Sequence, residues 1–229
     1  MGSSISLRGA RCGTNGAPAD IFPKRTIFSA EVSKMLWRQA RSEDATTAQE
    51  KNKAVSGEFT MIFEKTTMEE IDAIIRIVSD ARSRIGSLGI DQWQCGYPSR
   101  DVIAEDILLG RSYVARDDDG SLCAVFAVIF DGEPTYDKIF DGAWASEERN
   151  YLAVHRIAVS GEKLRCGAAS RAMTFVETMA KEMGRSGVRI DTHEGNAPMR
   201  AMLERNGYVH CGSIYLETGE HRVAYEKLV

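Results

Sequence analysis

One stretch limits the fold of this chain more than any other. Tyr151–Val159 is an apolar run of strand length, followed by a glycine-containing loop. A helical pattern then extends from about Gly167 to Met183, with Met173, Val176 and Ala180 on one face, and Val188–Thr192 reads as another strand. Two strands joined through a helix lie parallel and cross over with a right hand, because a twisted strand feeding a right-handed helix packs back on the sheet only that way. A parallel pair inside the sheet is therefore expected.

The segments around it argue for antiparallel neighbours. Ser112–Arg116 and Leu122–Phe130 flank the acidic turn Asp117-Asp118-Asp119-Gly120, which makes a hairpin. This Asp run lacks the spacing and distal Glu of a calcium loop. Phe59–Lys65 reads as a strand. Thr67 caps a helix running to about Ile85, with Ile71, Ile74, Ile75 and Val78 at helical spacing. Gly86–Pro98 is a loop, and Ser99 caps a second helix to about Leu109. Ala197–Arg205 is a helix, and Gly207–Leu216 and Arg222–Lys227 close the chain as strands. The order β-α-α-β-β-β-α-β-α-β-β predicts an α/β fold: a mixed, mostly antiparallel sheet with helices on both faces.

Composition removes several function classes. The formal net charge of −4 argues against broad electrostatic binding to nucleic acid. No apolar stretch approaches the roughly 20 residues that cross a bilayer. The five cysteines (12, 95, 123, 166 and 211) form no CxxC pair and no zinc-ligand spacing, and their odd number speaks against a disulfide scaffold. Reduced thiols in a cytoplasmic protein are expected, with no metal. Residues 1–57 carry a net +4 and the remainder −8, and the first residues are rich in Gly, Ser, Ala and Arg without periodicity. They are expected to form a loosely structured extension before a domain spanning 58–229. Met1-Gly2-Ser3-Ser4-Ile5-Ser6 also fits a myristoylation pattern, the Arg-rich start is similar to a transit peptide, and an upstream start codon with the chain opening near Met61 is a third reading.

The segment Ile157-Ala158-Val159-Ser160-Gly161-Glu162-Lys163-Leu164-Arg165-Cys166-Gly167-Ala168-Ala169 carries the first chemical signal. The opening amides of a helix lack internal partners and sit at its positive end, so a phosphate is their natural ligand where side chains leave the backbone open. Gly167, Ala168 and Ala169 leave it open. The segment is neither a Walker A loop nor a GxGxxG turn.

With Asp191-Thr192 leading into Asn196, Met199, Leu203 and Gly207-Tyr208, the chain from about Phe59 to Val229 resembles the GNAT superfamily of N-acetyltransferases. Asp91-Gln92-Trp93-Gln94, Gly96-Tyr97-Pro98 and the terminal Arg222-x-Ala224-Tyr225-Glu226-Lys227 fall in the same order. The resemblance implies acetyl-CoA as co-substrate and a V-shaped opening between Tyr151–Val159 and Val188–Thr192. It implies pantetheine on the backbone of Ile157, Ala158 and Val159, and pyrophosphate on the amides of Leu164, Arg165, Cys166, Gly167, Ala168 and Ala169. It also implies Asn196 near the thioester, and an acceptor loop that includes Trp93 and Tyr97. Three positions depart from the family pattern: Leu164 and Arg165 replace frequent loop residues, and Leu203 stands where many members carry a tyrosine acid.

The implied reaction moves an acetyl group directly to a primary amine of a small molecule or peptide, and a homodimer stays open. His155 and His193 are candidate bases, because imidazole titrates nearest to neutrality. Asp191, Glu194 and Tyr215 are weaker candidates, and so is Cys166 as an acyl-accepting nucleophile. His193-Glu194 is no zinc-protease motif, since Ala197 occupies the second His position. A non-catalytic acyl-CoA sensor, motivated by Leu203, and a binder of other phosphates are the competing readings.

Overall fold

A computed structural model of the chain describes residues 60–229. The expected extension, 1–57, and the domain boundary after it lie outside the described residues. The strands are β1 (Ile62–Lys65), β2 (Ser112–Arg116), β3 (Leu122–Ile129), β4 (Tyr151–Val159), β5 (Gly187–Thr192), β6 (Val209–Tyr215) and β7 (His221–Leu228). They form one seven-stranded sheet in the order β1-β2-β3-β4-β5-β7-β6. Only β4 and β5 pair in parallel; every other neighbour is antiparallel. The crossover joining that pair is α3 (Ala168–Glu182). The remaining helices are α1 (Ile71–Ser87), α2 (Arg100–Leu108) and α4 (Ala197–Arg205).

Alternation along the strands builds a core on each face. Tyr113, Phe126, Val128, Leu152, Val154, Val188 and Ile190 pack with Met173, Val176 and Ala180 of α3 and Met202 and Leu203 of α4. Their neighbours Val114, Val125 and Ala158 point the other way, onto Ile74, Ile77, Val78 and Ala81 of α1 and Ile103 of α2. A further cluster on that second side joins Ile129, Tyr136, Tyr151, Ala153, Ile214 and Ala224.

Local chemistry sets the element ends. The Glu70 carboxylate accepts from the Thr67 amide at 2.8 Å, and a short 3-10 turn precedes the α-helix proper at Ile71. Ser99 Oγ caps α2 by accepting from the Val102 amide at 3.3 Å. The predicted strand from Gly207 begins two residues later, at Val209. The Gly207 amide donates to the Glu204 carbonyl and the Tyr208 amide to the Leu203 carbonyl, each at 3.0 Å, which closes α4 in a Schellman motif. Gly207 has φ 81° there, and Tyr208 and Leu203 meet in the core. The acidic run is the predicted turn: Asp117 Oδ1 accepts from the amides of Asp119 and Ser121.

The feature that shapes the middle of the sheet is a fork. β4 and β5 pair only from Tyr151 opposite Gly187 to Val154 opposite Ile190. Beyond that point Asp191 and Thr192 continue along β7, while His155–Val159 continue along β3 alone. A bulge accompanies the divergence. Val125 faces Ala158 and Ala127 faces His155, so Phe126 opposes both Arg156 and Ile157. Arg156 has φ 54°, in the left-handed region.

Candidate active site

The fork exposes main-chain groups. The Ser160 amide donates to the Cys123 carbonyl at 2.8 Å, which makes Ser160 and Cys123 a hydrogen-bonded pair across β3 and β4. Alternation in an antiparallel ladder then engages Ala158 with Val125 and turns the amides and carbonyls of Ile157 and Val159 away from β3, into the opening. The Val159 carbonyl accepts from Arg84 Nη2 of α1. Ala158 is 3% exposed and packs under α1, so Ile157 and the Val159 amide supply the free edge.

Below the fork, the chain passes a short turn (Gly161–Lys163) and enters α3. Arg165 has φ 64° and Gly167 φ 81°. No side chain caps α3, whose opening residues are Ala168 and Ala169. Its first amides therefore keep the unpaired donors and partial positive charge of a helix start. Leu164 is exposed, Ala168 is buried, and Cys166 packs with Cys123, Val159 and Ala168. Lys163 holds the loop from the side, with Nζ 2.6 Å from the Asp117 carboxylate.

His155 and Asp191 are the first residues past the last paired positions of β4 and β5, on the face opposite α3. Tyr136, from a 3-10 turn (Pro134–Tyr136), spans them. Its ring stacks on His155 at 5.9 Å between centroids, and its hydroxyl donates to Asp191 Oδ1 at 2.7 Å. Burial, with Asp191 next to it, raises the hydroxyl's pKa well above its usual value, which keeps it a donor. His155 Nε2 is buried 3.2 Å from Glu133 Oε2, in an oblique approach. Burial pushes the Glu133 carboxyl up, but His155 and the Thr135 donors outweigh it and hold the pKa down at about 2. Glu133 is thus a fixed anion and can only accept.

The other predicted residues scatter around this fork. His193 Nδ1 accepts from the Gly195 amide at 2.9 Å, and its Nε2 stands 3.5 Å from Asp91. A Cβ on Gly195 would lie 2.8 Å from Ile90 Cγ2, so a bare glycine lets the loop after α1 approach the turn after β5. Asn196 caps α4 through Oδ1, which accepts from the Met199 amide at 3.3 Å, and its Nδ2 donates to Gln92 at 3.4 Å. Trp93 packs against the α1 cluster. Tyr97 is half-exposed, and Arg156 Nη1 donates to its hydroxyl at 2.8 Å. Tyr215 packs on Phe140 and His221 rather than at the fork. Leu203 is fully buried between α4 and the sheet.

The loop between α1 and α2 therefore touches both lips of the opening: Arg156 on β4 through Tyr97, and the turn after β5 through Asp91 and Gln92. Sequence reasoning passed over Glu133 and Tyr136, which lie in a non-periodic stretch, and Asp106, which binds Arg156. Among the described residues no group of three His, Cys, Asp or Glu side chains gathers as metal ligands. No described helix is long and apolar enough to cross a membrane.

Comparison with known proteins identifies the arrangement. An acetyltransferase of the GNAT family from Streptococcus agalactiae is 37% identical, with a TM-score of 0.66, over 75% of this chain and 98% of that one. A GNAT-family acetyltransferase from Listeria monocytogenes shares the fold at 18% identity and a TM-score of 0.58, over 74% of this chain and 95% of that one. One from Bacillus anthracis does so at 12% identity and a TM-score of 0.52, over 75% and 98%. A comparison with curated proteins gives no match. Residues 84–208 match the Acetyltransferase (GNAT) family, and the chain, an acetyltransferase, belongs to it.

Proposed function

We propose that the protein transfers the acetyl group of acetyl-CoA directly to a primary amine of a small molecule or peptide, with His155 as the base that takes the amine's proton. The observation that carries this reading is the Glu133–His155 pair at the head of the fork.

The residues present fit the co-substrate that the family uses. Ile157 and the Val159 amide offer main-chain donors and an acceptor to an extended amide chain, as an unpaired strand edge does. The uncapped amides from Leu164 to Ala169 suit a pyrophosphate, and Gly167, Ala168 and Ala169 keep side chains out of its way. When bound, acetyl-CoA supplies an acyl group already activated as a thioester.

The protein's own tasks follow from the geometry. The Ile157 amide, turned into the opening, is a donor for charge developing on an acyl oxygen, a contact worth about 3–4 kcal/mol of barrier. Glu133, locked as an anion 3.2 Å from Nε2 of His155, favours a proton on that nitrogen, which leaves the lone pair that can take a proton on Nδ1. In His193 the corresponding nitrogen is already occupied by the Gly195 amide, which supports His155 over His193. Asp91, Asp191 and Glu194 stand around the mouth, a field that suits an ammonium acceptor. Leu203 supplies no acid, and little is needed, because a thiol has a pKa of about 8.5 and leaves readily as thiolate. The free thiols of Cys123, Cys166 and Cys211 support a reducing, cytoplasmic setting.

Incubating the protein with acetyl-CoA and a panel of primary amines, while following free thiol, tests the reading. Amine-dependent thiol release that is lost in His155→Ala is expected. Absence of release with every amine, or a His155→Ala variant as fast as the parent, would overturn it.

A further inference from the structure

Among the described residues, Arg156 is the only non-glycine residue inside a strand with a positive φ. Left-handed backbone is unfavourable for a residue with a Cβ, and it persists where surrounding contacts hold it. Here those contacts are complete. Nε and Nη2 donate to the two oxygens of Asp106, at 2.6 and 2.8 Å, in the side-on fork geometry that suits a carboxylate. Nη1 donates to the Tyr97 hydroxyl at 2.8 Å. Asp106 lies on α2 and is 4% exposed.

The position of this residue matters as much as its partners. Arg156 is one of the two residues facing Phe126 in the bulge. The bulge begins directly past Val154 and Ile190, where the pairing of β4 with β5 ends. The inserted residue also resets the alternation, so that the main chain of Ile157 turns outward. One guanidinium thus ties together the strand that forms one lip, the helix behind it and the loop that carries Trp93 and Tyr97.

We propose that Arg156 and Asp106 are positioning residues that clamp β4 in its bulged path and so aim the Ile157 amide, and that Tyr97 uses the same guanidinium to hold the acceptor loop in place. This rests on the reading that the opening receives acetyl-CoA and that the loop faces the acceptor. Displacement of a reacting contact by about 1 Å costs up to about a hundredfold in rate, so the clamp acts mainly on turnover.

Four variants test it: Asp106→Asn, Arg156→Lys, Arg156→Gly and Tyr97→Phe. Glycine adopts the left-handed backbone freely, so Arg156→Gly keeps the bulge accessible and removes only the guanidinium. Lysine keeps the charge and loses the fork geometry, and it is expected not to rescue. With the amine that serves the parent protein best, the Asp106 and Arg156 variants are expected to lose about ten- to a hundredfold in kcat. Tyr97→Phe is expected to raise the acceptor KM several-fold more than it lowers kcat.

Amide hydrogen exchange at His155 and Ala158, the β4 residues paired with β3 on either side of the bulge, reads the clamp without any turnover. It is expected to quicken at least tenfold in Arg156→Gly and Asp106→Asn. Unchanged exchange at these amides in Arg156→Gly would overturn the clamp, as would variants that lower Tm yet keep the parent kcat and KM. A parent protein that releases no thiol would overturn the acetyl-transfer reading, while the exchange result still decides the clamp. Should Asp106→Asn fail to fold, Arg156→Gly and Tyr97→Phe decide between these outcomes.

Discussion

The carboxylate of Glu133 and the imidazole of His155 stand 3.2 Å apart where β4 parts from β5, an anion set beside one nitrogen of the ring and not the other. An anion beside Nε2 favours a proton on that nitrogen, which is the basis for the proposed role of Nδ1. Tyr136, stacked on the same ring and bonded to Asp191, fixes its plane. The two histidines of the region are therefore not equivalent, although the sequence offers them on equal terms.

Their replacement should separate them. His155→Ala is expected to lower kcat by roughly 10²–10⁴-fold, the range for a lost acid or base, with acetyl-CoA binding retained. His193→Ala is expected to lower kcat far less, because its Nδ1 serves the Gly195 amide. Steady-state rates of thiol release with a common amine compare the two.

Glu133 also carries a pH signature. Its pKa is held at about 2 in the folded protein against an ordinary 4.5, so its contribution to stability is complete above pH 4.5. That contribution drains away as pH falls from 4.5 toward 2, and it amounts to about 3 kcal/mol at most. Glu133→Gln should melt below the parent protein at pH 6, and the gap should narrow steadily down to pH 2.5. Thermal melts across that range provide the measurement.

Gly167 starts α3 with φ 81°, and a Cβ there would meet nothing nearer than Arg171 Nε at 4.0 Å. The expected cost of Gly167→Val is thus backbone strain of roughly 1–2 kcal/mol, together with a displaced set of helix-start amides, the proposed pyrophosphate site. CoA affinity is expected to drop about tenfold or more. Gly184, with φ 62° and open space around it, lies beyond the far end of α3. Gly184→Val should bring comparable strain and leave CoA affinity alone, which calorimetric titration of both variants can establish.

Arg189 of β5 and Glu226 of β7 form a buried pair at 2.8 Å, 3% and 0% exposed at the side chain. The guanidinium also lies over the rings of Trp144 and Tyr151. Glu226→Ala leaves that charge without its partner and should cost about 3–5 kcal/mol. For a domain of this size the melting temperature would fall by roughly 10 °C, as scanning calorimetry would register.

Much of the sheet was legible because its signals are local. The helical spacing of Met173, Val176 and Ala180 between two apolar runs determined the parallel pair, and Thr67 and Ser99 marked helix starts by the chemistry of their side chains. Gly207-Tyr208 looked like a strand start, but it closes a helix, since the left-handed glycine served the carbonyls behind it. The site was less legible for the same reason. Glu133 and Tyr136 sit in a short turn region without periodicity, and only the tertiary fold carries them to His155. Arg156 reads as an ordinary strand residue in a row with Val154 and Ala158. No glycine announces its left-handed backbone, because the contacts that enforce it come from Asp106 and Tyr97, remote in sequence.

The gap after Val154 and Ile190 passes through the sheet rather than lying on it: the α3 amides are on one side and His155 on the other. An aperture of this kind has two entrances. If, as proposed, the donor enters from the α3 side, the side of His155 is left to the acceptor, so both reactants would sit on the enzyme together with no acyl group parked on the protein. Initial-rate plots at varied fixed amine should accordingly intersect rather than run parallel.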